Sequence, residues 1–387
     1  MTSEAETSAP PSQEPLRRPV IWTIVGDKAG DNGQVETVAR ALERCPEFDC
    51  ARKYVHVKEP YVVAKPREEA AVYHIDPEKS DKLEGPWPDL IVTIGRRLTM
   101  VALWVQQQSE GHAKIALLGK PSGRIESYDL VVVSGEIQAP PLPNILPIGL
   151  PLMRVDKDAI DTAAADWQAR LSDLPRPLIA IMIGGPTGPY MFDSSVVDEI
   201  LRLAEKVRSE WGGTPYVITS RRTPQSLVDR LKAKLPDAAR LFVWGDSASE
   251  NPYRAMLGLA DGIVVTGDSI SMMVEVARLG RPLAILPLPL SVIGRLDQYR
   301  REFTRRLFAP VTSSGGVKPL VYILYKIGLL SQTRDFREFH RYLVQRGLAV
   351  WAGEPFPSTD AAATDDTQQV VDRIRDLMIP QASKEAS

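Results

Sequence analysis

The chain has 387 residues, of which 44% are hydrophobic and 25% charged, globular values that allow two ordinary domains, each with its own core. A formal net charge of −2 offers no electrostatic footprint for nucleic acid. The cysteines, Cys45 and Cys50, build neither a disulfide framework nor a zinc spacing, and His56, His74, His112 and His340 are scattered, so no metal site is expected and a reducing cytoplasm is the expected setting.

Residues 1–18 place Pro10, Pro11 and Pro15 among Ser, Thr and Glu, which predicts a disordered leader without the apolar core of a signal peptide. No stretch reaches the ~20 apolar residues of a membrane span. An apolar run over 20–25 leads into Gly26-Asp27-Lys28-Ala29-Gly30-Asp31-Asn32-Gly33-Gln34, after which Val35, Val38, Ala39 and Leu42 recur at helical spacing. The three glycines fit neither a dinucleotide fingerprint nor a Walker loop. What remains is a polar loop at the carboxyl end of a strand, where ligands bind in open α/β sheets; a solvated turn with helix caps is the plainer alternative.

Further strand-like runs cover 54–57, 89–94, 115–118, 130–133 and 145–148, with a charged, proline-containing excursion over 58–88. After the run at 89–94, Gly95-Arg96-Arg97 opens an apolar helix, and the two arginines can hold an anion or serve as ordinary surface charge. Six such runs interleaved with helices predict a parallel, doubly wound domain over 19–152. Residues 153–177 read as a linker helix bounded by prolines.

A second alternating series follows over 178–310, with strands expected at 178–183, 216–219, 241–244, 263–265 and 283–286. The first four end in polar or glycine-rich residues: Gly184-Gly185-Pro186-Thr187-Gly188, Ser220-Arg221-Arg222-Thr223, Gly245-Asp246-Ser247, and Gly267-Asp268-Ser269 with Ser271. In a parallel sheet these tips share one edge. Gly184 and Gly185 let backbone approach a ligand, Arg221 or Arg222 can neutralise a diphosphate, and the helix start after Gly267 supplies free N–H donors. Asp268, Ser269 and Ser271 are residue types that cap such a start, and Glu275 lies one turn in, where a carboxylate can take a ribose-like diol. Beyond 311 a basic and apolar extension to 353 is expected to be helical and to pack back on the first domain. Arg300, Arg301, Arg305 and Arg306, with Phe303 and Leu307 between them and the apolar 320–330 stretch following, suit either an anionic membrane surface or a solvated helix face. Residues 354–387 form an acidic tail with a terminal helix at 368–378.

Two Rossmann-like doubly wound domains facing a cleft describe the GT-B architecture, and the second half resembles the nucleotide-sugar half of such glycosyltransferases, including the N-acetylglucosamine transferase of the peptidoglycan lipid pathway. The matching pieces are Ala260-Asp261, Thr266-Gly267-Asp268-Ser269-Ile270-Ser271, Glu275, Gly280-Arg281-Pro282 and Asp297-Gln298-Tyr299. The resemblance implies that the loop holds a diphosphate, Glu275 the ribose and Gln298 the sugar.

From about residue 20 to about residue 349 the chain is similar to the mitochondrial fission ELM family and its bacterial relatives. That similarity rests on Gly26-Asp27-Lys28-x-Gly30-x-x-x-Gln34, Gly95-Arg96-Arg97, Gly184-Gly185-Pro186-x-Gly188, Thr219-Ser220-Arg221-Arg222-Thr223-Pro224 and Thr266-Gly267-Asp268-Ser269-Ile270-Ser271-Met272. The resemblance implies kinship more than chemistry: bacterial members are described as glycosyltransferases or nucleotide-sugar epimerases, and plant members recruit a dynamin-related protein to mitochondria. From the residues themselves the expectation is a glycosyltransferase taking a nucleoside-diphosphate sugar as donor, without cofactor or metal, with an envelope or lipid-linked acceptor, in the cytoplasm and peripheral on the inner membrane through the basic stretch. The alternative the resemblance carries is a membrane-surface recruiting scaffold on a transferase fold. A short-chain type of epimerase fits poorly, since its glycine loop is missing and Tyr322 and Lys326 match its second motif in spacing alone. The first loop has no histidine, unlike the peptidoglycan enzyme, so Asp27 or Asp31 is the expected base, with Lys28, Asn32, Gln34, Arg96 and Arg97 on the acceptor side and Gly184, Gly185, Thr187, Ser220, Arg221, Gly267, Asp268, Ser269, Ser271, Glu275 and Gln298 around the donor.

Overall fold

The computed structural model of the chain describes residues 17–63, 67–121, 125–140, 142–246, 250–314, 333–357 and 365–379. The expected leader, apart from Arg17 and Arg18, the 320–330 stretch and the Tyr322/Lys326 pair lie outside these residues, as do the side chains of Asp31 and Arg305.

Two six-stranded sheets form, each parallel throughout. The first runs in the spatial order Asp49–Tyr54, Val20–Val25, Leu90–Ile94, Lys114–Leu118, Leu130–Ser134, Ile145–Ile148. The second runs Arg240–Phe242, Thr214–Thr219, Leu178–Ile183, Gly262–Thr266, Leu283–Leu286, Val350–Trp351. Numbered along the chain, the second order is 3-2-1-4-5-6, that of the dinucleotide-binding fold. The chain is thus α/β, with two Rossmann-like doubly wound domains in the GT-B-like manner.

The central strands are continuous apolar runs because helices cover both faces; every residue of Leu178–Ile183 and of Leu90–Ile94 is buried. Helix Ala29–Leu42 turns Val35, Val38, Ala39 and Leu42 inward, all at most 2% exposed, so its i, i+3, i+4, i+7 stripe is the face that packs. Helix Ser194–Ser209 does the same in the second lobe with Val196, Val197, Ile200, Leu203, Ala204 and Val207.

The strand expected at 54–57 is two pieces. Asp49–Tyr54 is the true edge strand of the first sheet, and His56–Val57 pairs antiparallel with Ile75–Asp76 inside the excursion. Asp-Cys-Ala-Arg-Lys-Tyr is polar because an edge strand leaves much of itself to solvent.

The C-terminal part departs further from expectation. Helix Phe336–Gln345 buries Phe336, Phe339 and Leu343 in the second lobe's core, and Val350–Trp351 adds the last strand to the second sheet. Of the 311–353 extension, Thr333–Arg334 does meet the first lobe, pairing with Ile137–Gln138. The return to the first lobe is made mainly by helix Thr367–Met378. Its Val370, Val371 and Ile374 join the first core, and Arg375 meets Glu47 at 2.7 Å. Apolar stripes, rather than sequence proximity, decide which lobe each helix completes.

Candidate functional site

Each sheet has one point where strand order reverses, and there the loops after the two diverging strands leave a crevice. In the first lobe the reversal falls between Val20–Val25 and Leu90–Ile94. The loops that follow bring Gly26, Asp27, Lys28 and Asn32 together with Gly95, Arg96 and Arg97 around one small pocket, roofed by Val57 and Val62 from the excursion. In the second lobe it falls between Leu178–Ile183 and Gly262–Thr266, which brings the Gly184-Gly185 loop against Gly267-Asp268-Ser269.

Asp268 holds the second-lobe site together. Its side chain is fully buried, and its Oδ2 accepts from the Gly185 N–H at 3.0 Å, from the Ser269 hydroxyl at 3.1 Å and from an Arg222 NH2 group at 3.1 Å. Oδ1 accepts from the Thr266 hydroxyl at 2.7 Å, and Thr266 Oγ1 in turn accepts from the Gly184 N–H at 2.8 Å. The carboxylate therefore does not cap the following helix, and Ser269, at the N-cap position of Ile270–Arg278, makes no side-chain cap either. The first-turn N–H groups of that helix keep no side-chain acceptor from these residues and remain suited to an anion. Ser271 is exposed on that turn.

The glycines are required by space. A Cβ on Gly184 would stand 2.1 Å from Ser269 Oγ, and one on Gly185 would stand 2.1 Å from the Arg222 carbonyl oxygen. Ser220 and Thr223 hydroxyls donate to the Gly184 carbonyl at 3.0 and 2.7 Å, fixing the third loop against the first. Arg222, rather than Arg221, is the arginine woven into this network; it also donates to the Thr187 hydroxyl at 2.6 Å.

Arg221 lines an adjoining cleft of about 340 Å³ with Trp244, Asn251, Tyr253 and Met272. Glu275 is not among the residues lining this cleft; it is joined to one of them, Tyr253, whose hydroxyl donates to Glu275 Oε2 at 2.6 Å. Burial pushes the Glu275 carboxyl above its ordinary range, opposed by that hydrogen bond and by Arg254. Trp244 is 48% exposed, an open indole face suited to a flat ring. Gln298 lies apart from this cleft's lining, on helix Val292–Ser314. The start of that helix rests on the Pro189 side of the glycine loop through Ser291 N–H to the Pro189 carbonyl, 3.1 Å.

In the first lobe Asp27 is occupied. Tyr54 OH donates to its Oδ1 at 2.5 Å, His56 Nδ1 lies 2.8 Å from the same oxygen, and the Val57 N–H donates to Oδ2 at 2.8 Å. Partial burial works to raise this carboxyl, but the hydrogen bonds from Tyr54, Val57 and His56 outweigh it and hold the group below its ordinary range. A carboxylate so held is a poor proton acceptor and a good orienting partner for an imidazole. The histidine that meets this aspartate, His56, comes from the strand His56–Val57 and is not among the residues lining the pocket. Asn32 spends its amide on the Gly26 backbone, accepting from Gly26 N–H at 2.9 Å and donating to its carbonyl. Lys28 is exposed at the pocket rim, Gln34 is half-buried and outside the pocket lining, and Arg97 reaches the Val62 carbonyl at 2.5 Å.

Two further residues carry little signal in sequence. His340 Nε2 lies 2.8 Å from the Gly267 carbonyl oxygen, with the ring packed between Tyr190 and Trp351, and burial pushes its pKa down to about 4. Glu136, just past strand Leu130–Ser134, is 4% exposed, and its Oε2 is buried without a hydrogen-bond partner among the described residues.

A family model described as Mitochondrial fission ELM1 matches residues 29–314. The "Mitochondrial fission protein ELM1" of Arabidopsis thaliana is 20% identical over 221 residues, 51% of this chain and 51% of that protein, so the chain spans about half the length of that relative. "Uncharacterized protein RP120" of Rickettsia prowazekii (strain Madrid E) is 24% identical over 306 residues, 70% of this chain and 83% of that one. Among solved structures, MurG of Acinetobacter baumannii superposes over 92% of this chain and 99% of its own, with a TM-score of 0.42 and 15% identity. A UDP-GlcNAc 2-epimerase from Neisseria meningitidis bound to UDP-GlcNAc covers the same shares with a TM-score of 0.43 and 9% identity.

Proposed function

The chain belongs to the mitochondrial fission ELM1 family, and from that premise we propose that it is a glycosyltransferase drawing on a nucleoside-diphosphate sugar held at the second lobe's strand tips. The observation that carries this reading is the Asp268 network, which ties the Gly184-Gly185 loop and Arg222 to the start of helix Ile270–Arg278, beside the cleft lined by Arg221, Trp244, Tyr253 and Met272. Backbone N–H groups and Arg221 would take the diphosphate, Glu275 the ribose and Trp244 the base. In the reaction an acceptor hydroxyl oxygen bonds to the anomeric carbon as the bond to the diphosphate oxygen breaks. The electron pair stays on the diphosphate, where the helix dipole and Arg221 stabilise it. The hydroxyl proton passes to His56 Nε2, whose Nδ1–H is directed at Asp27. The acceptor would be an envelope or lipid-linked saccharide.

Thermal-shift titration with UDP, GDP, CDP and TDP sugars tests the reading: one family of donors stabilises the fold by about 2–3 kcal/mol near a hundredfold excess over Kd. Product analysis then separates transfer from hydrolysis and epimerisation. A folded sample that responds to none of the four would sink it.

A second reading has its own observation. On helix Val292–Ser314, Ile293 (79% exposed), Leu296, Tyr299 and Phe303 form one apolar stripe open to solvent. No helix among the described residues is long and apolar enough to cross a membrane. Arg300 and Arg301 clasp Asp297, at 2.6 and 2.5 Å, and Arg306 faces Glu302 at 3.3 Å, so charge there is partly neutralised within the helix. The stripe supports peripheral seating on a lipid surface. Leu296→Asp with Phe303→Asp would then abolish co-sedimentation with anionic vesicles while leaving donor binding intact.

A further inference from the structure

A cleft of about 540 Å³, sharing no lining residue with the pockets above, lies where the two lobes and the linker meet. Four arginines reach it: Arg40 from the last turn of helix Ala29–Leu42, Arg44 from just past its end, Arg154 from the linker, and Arg278 from the last turn of helix Ile270–Arg278. Asp365 is the acid in the lining, and its carboxylate already accepts from Thr367 and faces Arg278 at 3.7 Å. Arg40, Arg44 and Arg154 are exposed and, among the described residues, carry no ion pair. Arg278 is 11% exposed; it donates to the Pro151 carbonyl at 3.0 Å, while its Nε is buried with no partner among the described residues.

Guanidinium groups gathered on one opening repel each other, and a partly desolvated one with an unused donor costs more. Their planar forks match phosphoryl oxygens in pairs. We propose that this cleft binds a phosphorylated polyanion, bearing at least two phosphoryl charges, which ties the first lobe, the linker and the second lobe together. Arg278 and Ser269 stand at opposite ends of one helix, roughly 13 Å apart along its axis. Occupancy at the arginine end therefore bears on the element that presents its other end to the glycine loops.

The test uses the full chain and isothermal titration with inorganic pyrophosphate at fixed ionic strength, beside sedimentation with phosphatidylcholine vesicles containing cardiolipin, whose headgroup carries two phosphoryl charges. Arg44→Ala with Arg154→Ala removes two exposed side chains and is expected to keep the melting temperature while weakening pyrophosphate binding at least about tenfold. Lys232→Ala, on an exposed helix position outside both clefts, leaves this binding unchanged. Vesicle capture that needs Arg44 and Arg154 and is competed by pyrophosphate identifies a lipid headgroup as the source; pyrophosphate binding without capture identifies a soluble ligand. The double variant binding as the wild type, or a wild-type affinity no greater than chloride at matched ionic strength explains, overturns the proposal. Arg44→Lys with Arg154→Lys, which keeps charge but loses the fork, lies between the two should the alanine variant fail to fold.

Discussion

Asp268 accepts a hydrogen bond from the Gly185 N–H at 3.0 Å, joining two loops 83 residues apart in the chain. The same buried carboxylate gathers Thr266, Ser269 and Arg222. Removing it strands several donors at once. Asp268→Ala is expected to lower stability by about 2–4 kcal/mol, and Asp268→Asn by about half that, since an amide oxygen still serves Gly185. Urea midpoints measure both; a loss below about 0.5 kcal/mol in the alanine variant would show the network to be slack.

The glycines give a sharper contrast. Gly184→Ala and Gly185→Ala drive a methyl into Ser269 and into the Arg222 backbone, whereas a Cβ at Gly188 meets nothing within 4 Å. The first two are expected to cost about 2–4 kcal/mol or displace a loop, and Gly188→Ala under about 1 kcal/mol. Equal effects at all three positions would contradict the packing described.

Asp27→Asn leaves His56 without a charged partner, and His56→Gln removes the imidazole itself. Each is expected to slow transfer by about 10²–10⁴-fold with donor affinity unchanged. Because the folded Asp27 carboxyl lies below its ordinary range, its contribution to stability is complete at neutral pH and is lost only as pH falls through the carboxylate region. Unaltered turnover in His56→Gln would remove the histidine from the mechanism.

His340 imposes a separate pH dependence. Its folded pKa is pushed down to about 4 by burial, from an ordinary value of 6.5. Between those values the unfolded chain takes up a proton that the folded chain refuses, so stability declines as pH drops from about 6.5 to about 4, by roughly 3 kcal/mol in all. Below that window this group adds no further loss. His340→Gln keeps a donor for the Gly267 carbonyl but flattens the urea midpoint against pH between 6.5 and 4.5. A wild-type slope in the variant would assign the decline elsewhere.

Much of this arrangement is legible in sequence because apolar runs bounded by glycine mark central parallel strands, and Gly184-Gly185 and Gly267 fall at their tips. The site residues legible in this way are those whose chemistry is local. What stays hidden is tertiary. His56 meets Asp27 only because Asp49–Tyr54 lies beside Val20–Val25 in register, and Asp49–Tyr54 is too polar to announce itself. Nothing in Ser220-Arg221-Arg222-Thr223 says which arginine turns toward Asp268; the crowding of Gly185 against Arg222 decides it. His340 comes from 73 residues downstream, on a helix whose apolar face gives no hint of which loop it buttresses.

Val350–Trp351 is a two-residue strand, yet it closes the border of the second sheet along Leu283–Leu286. A shortened form of the protein ending before it would bare the hydrogen-bonding groups of a flat, apolar strand. Molecules lacking that cover would be prone to stick to one another edge to edge, so proteolytic clipping in this region would show first as oligomers and precipitate.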